Sequence, residues 1–172
     1  MAGAAQVPPN AQVTSEPLSA RAWFADPRAK PDLKAGGAAL IRLHAVFEKR
    51  GHLTVGQLGK GLPFVPRRFF VISEVPDADI RGEHAHRALH QFLVCLAGSV
   101  VAEVSDGKRS RAITLDCPQV GLHVPPMVWG VQHHYSPDAI LLVLASSEYD
   151  PADYIRDFDR FVALQKGKRS QE

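Results

Sequence analysis

Three histidines fall within seven positions of the stretch RGEHAHRALHQ, residues 81–91: His84, His86 and His90. An imidazole with an ordinary pKa of about 6.5 stays largely neutral at neutral pH and can both take and return a proton. It is also a metal ligand. On a strand, alternate side chains point to opposite faces, so His84 and His86 face one way and Ala85 the other. Both rings can then share one cavity. An open catalytic metal site usually draws three ligands from the protein. His90, His133 or His134 would have to complete such a set. Arg81 and Gln91 flank the pair. A guanidinium suits a phosphate or a developing oxyanion. An amide can orient a hydroxyl without adding negative charge.

The elements that must hold these side chains read as all-β. From Ala38 onward, short apolar runs alternate with turn signals every eight to twelve residues, the pattern of a sandwich or barrel. The expected strands cover residues 38–44, 52–58, 67–75, 90–97, 99–105, 110–115, 120–125, 128–134 and 139–146. Asp106-Gly107 is a tight-turn dipeptide between two of them. The segment DPADYIRDFDRFVALQK predicts a helix, with Asp150 as its cap, Pro151 at the first helical position, and Tyr154, Ile155, Phe158, Phe161 and Val162 on its apolar face. Residues 1–36 are rich in Ala, Pro, Gly and Ser and read as a flexible extension. Trp23 and Phe24 are aromatics that could dock on the body or on a partner subunit. Residues 37–166 form the expected domain, and 167–172 a frayed tail.

At 172 residues, 45% of them hydrophobic, the chain is sized for one domain. A net charge of +2 from 20 basic and 18 acidic residues gives no broad cationic field for nucleic acid or an anionic membrane. Two cysteines, Cys95 and Cys117, are too few for a disulfide framework. No secretory signal pattern or membrane-length apolar run is evident, and a cytoplasmic location is expected.

Gly82, His84-x-His86, Gln91 and Gly98 resemble the first signature of the cupin superfamily, in which the position of Gln91 is usually a metal-binding glutamate. The second cupin motif, PPMVWGVQHH (125–134), carries Gly130 where a ligand histidine is expected. A closer resemblance spans roughly residues 38–162. LPFVPRRFFVI, RGEHAH, LVCLAGSVVAEVSDG, ITLDCPQVGLHVPPMVW and LVLASSEYDPADYIRDFDRF together look like the nucleotide-sugar 3,4-ketoisomerases, cupins that act without a metal.

That resemblance implies a cupin-type small β-barrel (jelly roll) with a C-terminal helix, assembled as a homodimer and needing no cofactor. Its substrate would be a dTDP-linked 4-keto-6-deoxy sugar, whose keto group moves from C4 to C3 through an enediol or enediolate. The product would serve dideoxy amino sugars of surface polysaccharides such as lipopolysaccharide O-antigen. By motif, His84 is the expected base at C3 and His86 the proton carrier near C4. Arg68 is expected at the pyrophosphate, with Arg81, Gln91 and Trp129 as further substrate contacts. Tyr149, Asp150 and Arg156 belong to the resembling stretch that holds the C-terminal helix. The family presents a tyrosine at the position of Phe70, so a substrate hydroxyl partner is missing there. Two other readings follow from these departures: a metal-dependent cupin enzyme, or a nucleotide-sugar binder that has lost catalysis.

Overall fold

A computed structural model describes the chain from residue 16 to residue 169. Residues 1–15 of the expected extension and 170–172 of the expected tail lie outside the described residues. The chain runs β1 (Leu18–Ser19), α1 (Ala20–Ala25), β2 (Ala39–Arg42), β3 (His44–Glu48), β4 (Gly51–Val55), β5 (Gln57–Leu58), β6 (Gly61–Leu62), β7 (Arg68–Ser73) and β8 (Arg81–His86). It continues through β9 (Gln91–Ala97), β10 (Val100–Ser105), β11 (Ser110–Leu115), β12 (Val120–Val124), β13 (Trp129–His133), β14 (Ile140–Ala145), a single 3-10 turn at Pro151–Asp153, β15 (Tyr154–Ile155) and α2 (Phe158–Arg169).

Two sheets carry the architecture, one ordered β1-β11-β10-β13-β8-β15 and the other β2-β12-β9-β14-β7. Their alternating apolar residues meet in one core. Leu40, Leu93, Val120, Leu122, Leu141 and Val143 of the second sheet pack with Val100, Ala102, Val104, Ile113 and Leu115 of the first. Burial of these β-branched and Leu side chains on facing sheets supplies the main driving force, about 25 cal/mol per Å² of apolar surface removed from water.

The expected cupin-type closed barrel is corrected here. Each sheet is open, ending at β1 and β15 in one and at β2 and β7 in the other, and no strand pair joins those edges. Period-two alternation specifies a strand with one buried face. It does not specify whether the outer strands find each other, because that depends on twist and stagger, which hydrophobic pattern does not encode.

Two further expectations change. Within the flexible extension expected over residues 1–36, β1 pairs in parallel with β11, and Trp23, one of the two aromatics that could dock on the body, does so and is only 4% exposed. Ser19 Oγ donates to Asp116 Oδ2 at 2.8 Å and accepts from Ala22 N at 3.1 Å, so one side chain anchors β1 and caps α1. The Trp23 indole N–H donates to the Lys30 carbonyl at 3.0 Å, and the Arg42 guanidinium lies 4.0 Å over its ring. One large aromatic with a satisfied N–H is enough to dock a segment whose average composition is polar.

The C-terminal helix also starts later than its periodicity suggests. Asp150 caps only the 3-10 turn, accepting from Ala152 N. Tyr154 and Ile155, both good strand formers, then pair with His86 and Ala85. The helix proper is capped by Asp157, which accepts from Arg160 N at 2.7 Å. It runs to Arg169, so residues 167–169 of the expected frayed tail are helical. Phe161 is fully buried against Trp129, Val131, Ala85 and Ile155 on the outer face of β8 and β13.

Candidate active site

The site lies where β8 runs between β13 and β15 and faces β9 and β7 of the opposite sheet. On β8, Ala85 packs outward under α2, while His84 and His86 turn inward. The predicted alternation therefore holds, with ring centroids 4.9 Å apart and planes perpendicular. His84 and Gln91 line a cavity of about 140 Å³ together with Phe70, Ile72, Arg81, Gln132, Val143 and Tyr154. His86 lines its inner continuation beside Gln91 and Leu93.

A local irregularity aims His84. The pairing of β13 with β8 slips between Gly130 and Val131, which oppose His84 and Gly82 and leave Glu83 without a partner. This is a β-bulge. Gly82 has φ +84° and Glu83 φ +51°, and a Cβ on Gly82 would stand 2.7 Å from the Gly130 carbonyl oxygen. Glycine is required there by both conformation and space. The bulge brings the Gly82 carbonyl to 2.7 Å from His84 Nδ1.

These hydrogen bonds fix the tautomers. A carbonyl only accepts, so His84 carries its proton on Nδ1 and presents a bare Nε2. His86 Nδ1 lies 2.8 Å from Asp153 Oδ2. That carboxylate likewise accepts, leaving His86 Nε2 bare and 3.3 Å from the Gln91 amide nitrogen, which donates to it. Asp153 is itself held by Ala88 N at 2.8 Å and Leu89 N at 3.3 Å.

Both rings are held neutral. Burial pushes the His84 pKa below its ordinary value, the hydrogen bond to Gly82 opposes this, and the Arg156 charge adds to it. For His86, burial is the largest cause and the neighbouring His84 the next. Asp153 pulls the other way and Arg68 adds a further depression, leaving a value of about 4. The cavity therefore holds two neutral bases at neutral pH.

Of the other predicted residues, Gln91, Arg81 and Phe70 come to the cavity. Arg68, on the same strand as Phe70, lies 5.5 Å over the Phe70 ring and 5.4 Å over Tyr149. Its Nε and Nη2 are buried without a hydrogen-bond partner, a costly arrangement for a cation. Trp129 does not join them. It is 3% exposed and packs on Phe158 and Phe161 under α2, because odd-numbered positions of β13 face outward and the inward ones are Gly130 and Gln132.

The candidate metal ligands stay apart. His90 Nδ1 stacks against His123, 3.0 Å from its Nε2, beside Phe64. His133 Nε2 lies 3.0 Å from Glu103 and its Nδ1 contacts His134. Among the described residues no three His, Cys, Asp or Glu side chains converge to hold a metal ion. With an amide at Gln91 and no side chain at Gly130, the donor set at His84 and His86 does not fit one.

Asp153 and Gln132 escaped the sequence reading, which names Arg156 only as part of the stretch that holds the C-terminal helix. Asp153 lies 67 positions from His86, and no spacing rule links them. Tyr154 was placed on a helix face. The only available signal was the polar run ahead of the apolar repeat, where a carboxylate to orient a histidine could be sought.

The family model described as "FdtA: WxcM-like, C-terminal" matches residues 36–166. The TDP-4-oxo-6-deoxy-alpha-D-glucose-3,4-oxoisomerase of Aneurinibacillus thermoaerophilus is 42% identical over 122 residues, covering 71% of this chain and 88% of that protein. The crystal structure of QdtA, a sugar 3,4-ketoisomerase from Thermoanaerobacterium thermosaccharolyticum in complex with TDP, superposes with a TM-score of 0.73 at 37% identity, covering 76% of this chain and 96% of that one. A 3,4-ketoisomerase from Helicobacter canadensis gives a TM-score of 0.72 at 32% identity, with 75% and 97% covered. Sequence and fold agree, and the chain belongs to the FdtA, WxcM-like C-terminal family of sugar 3,4-ketoisomerases.

Proposed function

We propose that this protein isomerises a dTDP-linked 4-keto-6-deoxyhexose to its 3-keto isomer by histidine-mediated proton transfer, without a metal. The observation that carries this reading is the pair of bare Nε2 atoms on His84 and His86, each fixed by an acceptor at Nδ1. Moving a ketone to the adjacent carbon needs a base for the C3 hydrogen and a group to deliver a proton to C4. His84, the ring lining the outer cavity, takes the C3 hydrogen to its Nε2. That proton passes on to the bare His86 Nε2, which returns it near C4, where the depressed pKa of His86 makes its protonated form a willing donor.

Binding falls to the surrounding residues. Arg68 meets the pyrophosphate with its unpartnered N–H groups, and Arg81 stands at the cavity rim. Gln91 orients a sugar hydroxyl and donates to His86. Phe70 supplies an apolar wall in place of a phenol. The nucleotide is supported by the TDP bound to QdtA and by the substrate in the name of the Aneurinibacillus relative. A homodimer and a place in dideoxy amino sugar synthesis are part of the same proposal. Among the described residues no helix is long and apolar enough to cross a membrane.

The test is incubation with dTDP-4-keto-6-deoxyglucose in deuterated water. The expected result is loss of the C3–H signal by NMR and appearance of the 3-keto isomer. A bound but unchanged, unexchanged sugar would make the protein a binder instead.

A further inference from the structure

The cavity has one hydroxyl that the mechanism above does not use. Tyr154 lies on β15, paired with His86 across the strand ladder. Its neighbour Ile155 turns outward into the core beneath α2, so alternation sends Tyr154 into the cavity, which it lines with His84 and Gln91. Its ring centroid is 4.8 Å from that of His84 and 4.4 Å from that of His86. The Arg156 guanidinium lies 4.3 Å over the ring and pins it. Among the described residues its hydroxyl makes no hydrogen bond, although Asp153, one position earlier, is tied to His86.

The ring thus touches both bases while its donor remains free. Of the other donors, the Gln91 amide faces His86 Nε2 and Arg81 is exposed at the rim; the Gln132 amide lines the cavity as well, but Tyr154 is the one that packs against both imidazoles. Resting on the ketoisomerase reading, we propose that Tyr154 is a catalytic residue, donating its O–H to the sugar O4 as negative charge develops there.

The step balances without a covalent bond to the protein. The C3 hydrogen leaves as a proton to His84 Nε2. The electron pair it leaves becomes the C3–C4 double bond, and the carbonyl π pair moves onto O4. The Tyr154 proton stays on its own oxygen. A donor aimed at charge that exists only in the transition state raises kcat and leaves ground-state affinity alone.

Tyr154→Phe keeps the ring between Arg156 and the imidazoles and removes only the hydroxyl. The expected outcome is a fall in kcat of about 10–100-fold, with KM and TDP affinity within about twofold of wild type and C3 exchange slowed in parallel. A variant with wild-type kcat, or one altered only in KM, overturns the assignment. Placing 3-fluorotyrosine at position 154 preserves packing and strengthens the donor, and is expected to change kcat at constant KM. An unchanged kcat there overturns it equally, even should the Phe variant fail to fold. Absence of exchange in the wild-type protein itself would instead remove the ketoisomerase reading.

Discussion

At the scale of single residues, the chemistry rests on which ring nitrogen carries a proton. His84 is set by a carbonyl two positions away, within reach of a local reading, whereas His86 is set by Asp153 from the far end of the chain. The sequence showed two imidazoles on one strand face, and could not show their tautomers. Asp153→Asn tests the second bond. Asn can keep an oxygen toward Ala88 N, which puts its NH₂ where Oδ2 met His86 Nδ1. Nδ1 must then accept, the proton moves to Nε2, and the lone pair facing the cavity is lost. We expect kcat to fall by roughly 10²–10⁴-fold with little change in KM, and the His86 ring nitrogens to exchange protonated and bare signals in ¹⁵N NMR. Unchanged kcat with unchanged nitrogen shifts would contradict the role given to Asp153.

Elements convert that residue chemistry into position. The strands were legible from the period-two runs: β7, β9, β10, β11, β12, β13 and β14 fall within one or two residues of their expected bounds. The Asp106-Gly107 turn was legible too, with Gly107 at φ +84°. What stayed hidden was tertiary. Tyr154 and Ile155 fit a helical period as well as a strand, and only pairing with β8 decides between them. Trp129 is expected as a substrate contact and is found in the core, because the choice depends on which face of β13 the helix α2 covers. The bulge in β8 was also silent, since a glycine in a strand can mean several things. Gly82→Ala tests it. A methyl 2.7 Å from the Gly130 oxygen, at a φ that L-residues resist, must flatten the bulge and pull the 82 carbonyl from His84. The prediction is a loss of activity of at least about tenfold, together with roughly 1–2 kcal/mol of stability by urea denaturation. Full activity in this variant would show that the bulge does not set His84.

On the scale of the whole molecule, two open sheets close over one core, and the segment from Leu18 to Ala35 seals the edge at β11 although it lies outside the family match at residues 36–166. That core buries imidazoles in two places. His86 in the cavity and His123 on the opposite side of β9 are each lowered to about 4, chiefly by burial, and His84 and His90 are lowered in the same sense. The unfolded chain takes up protons at about pH 6.5, before the folded one does. Stability is therefore whole above that pH, and is lost progressively as the pH falls toward 4. Urea midpoints at pH 7, 5.5 and 4.5 should decline in that order, and a flat series would contradict the burial of neutral rings. The central claim, that His84 removes the C3 hydrogen of a keto sugar, is tested most directly by NMR of dTDP-4-keto-6-deoxyglucose in deuterated water, with wild-type protein beside His84→Asn. The account predicts rapid C3 exchange and conversion with the former and neither with the latter while TDP still binds; exchange at the wild-type rate without the His84 imidazole would contradict it.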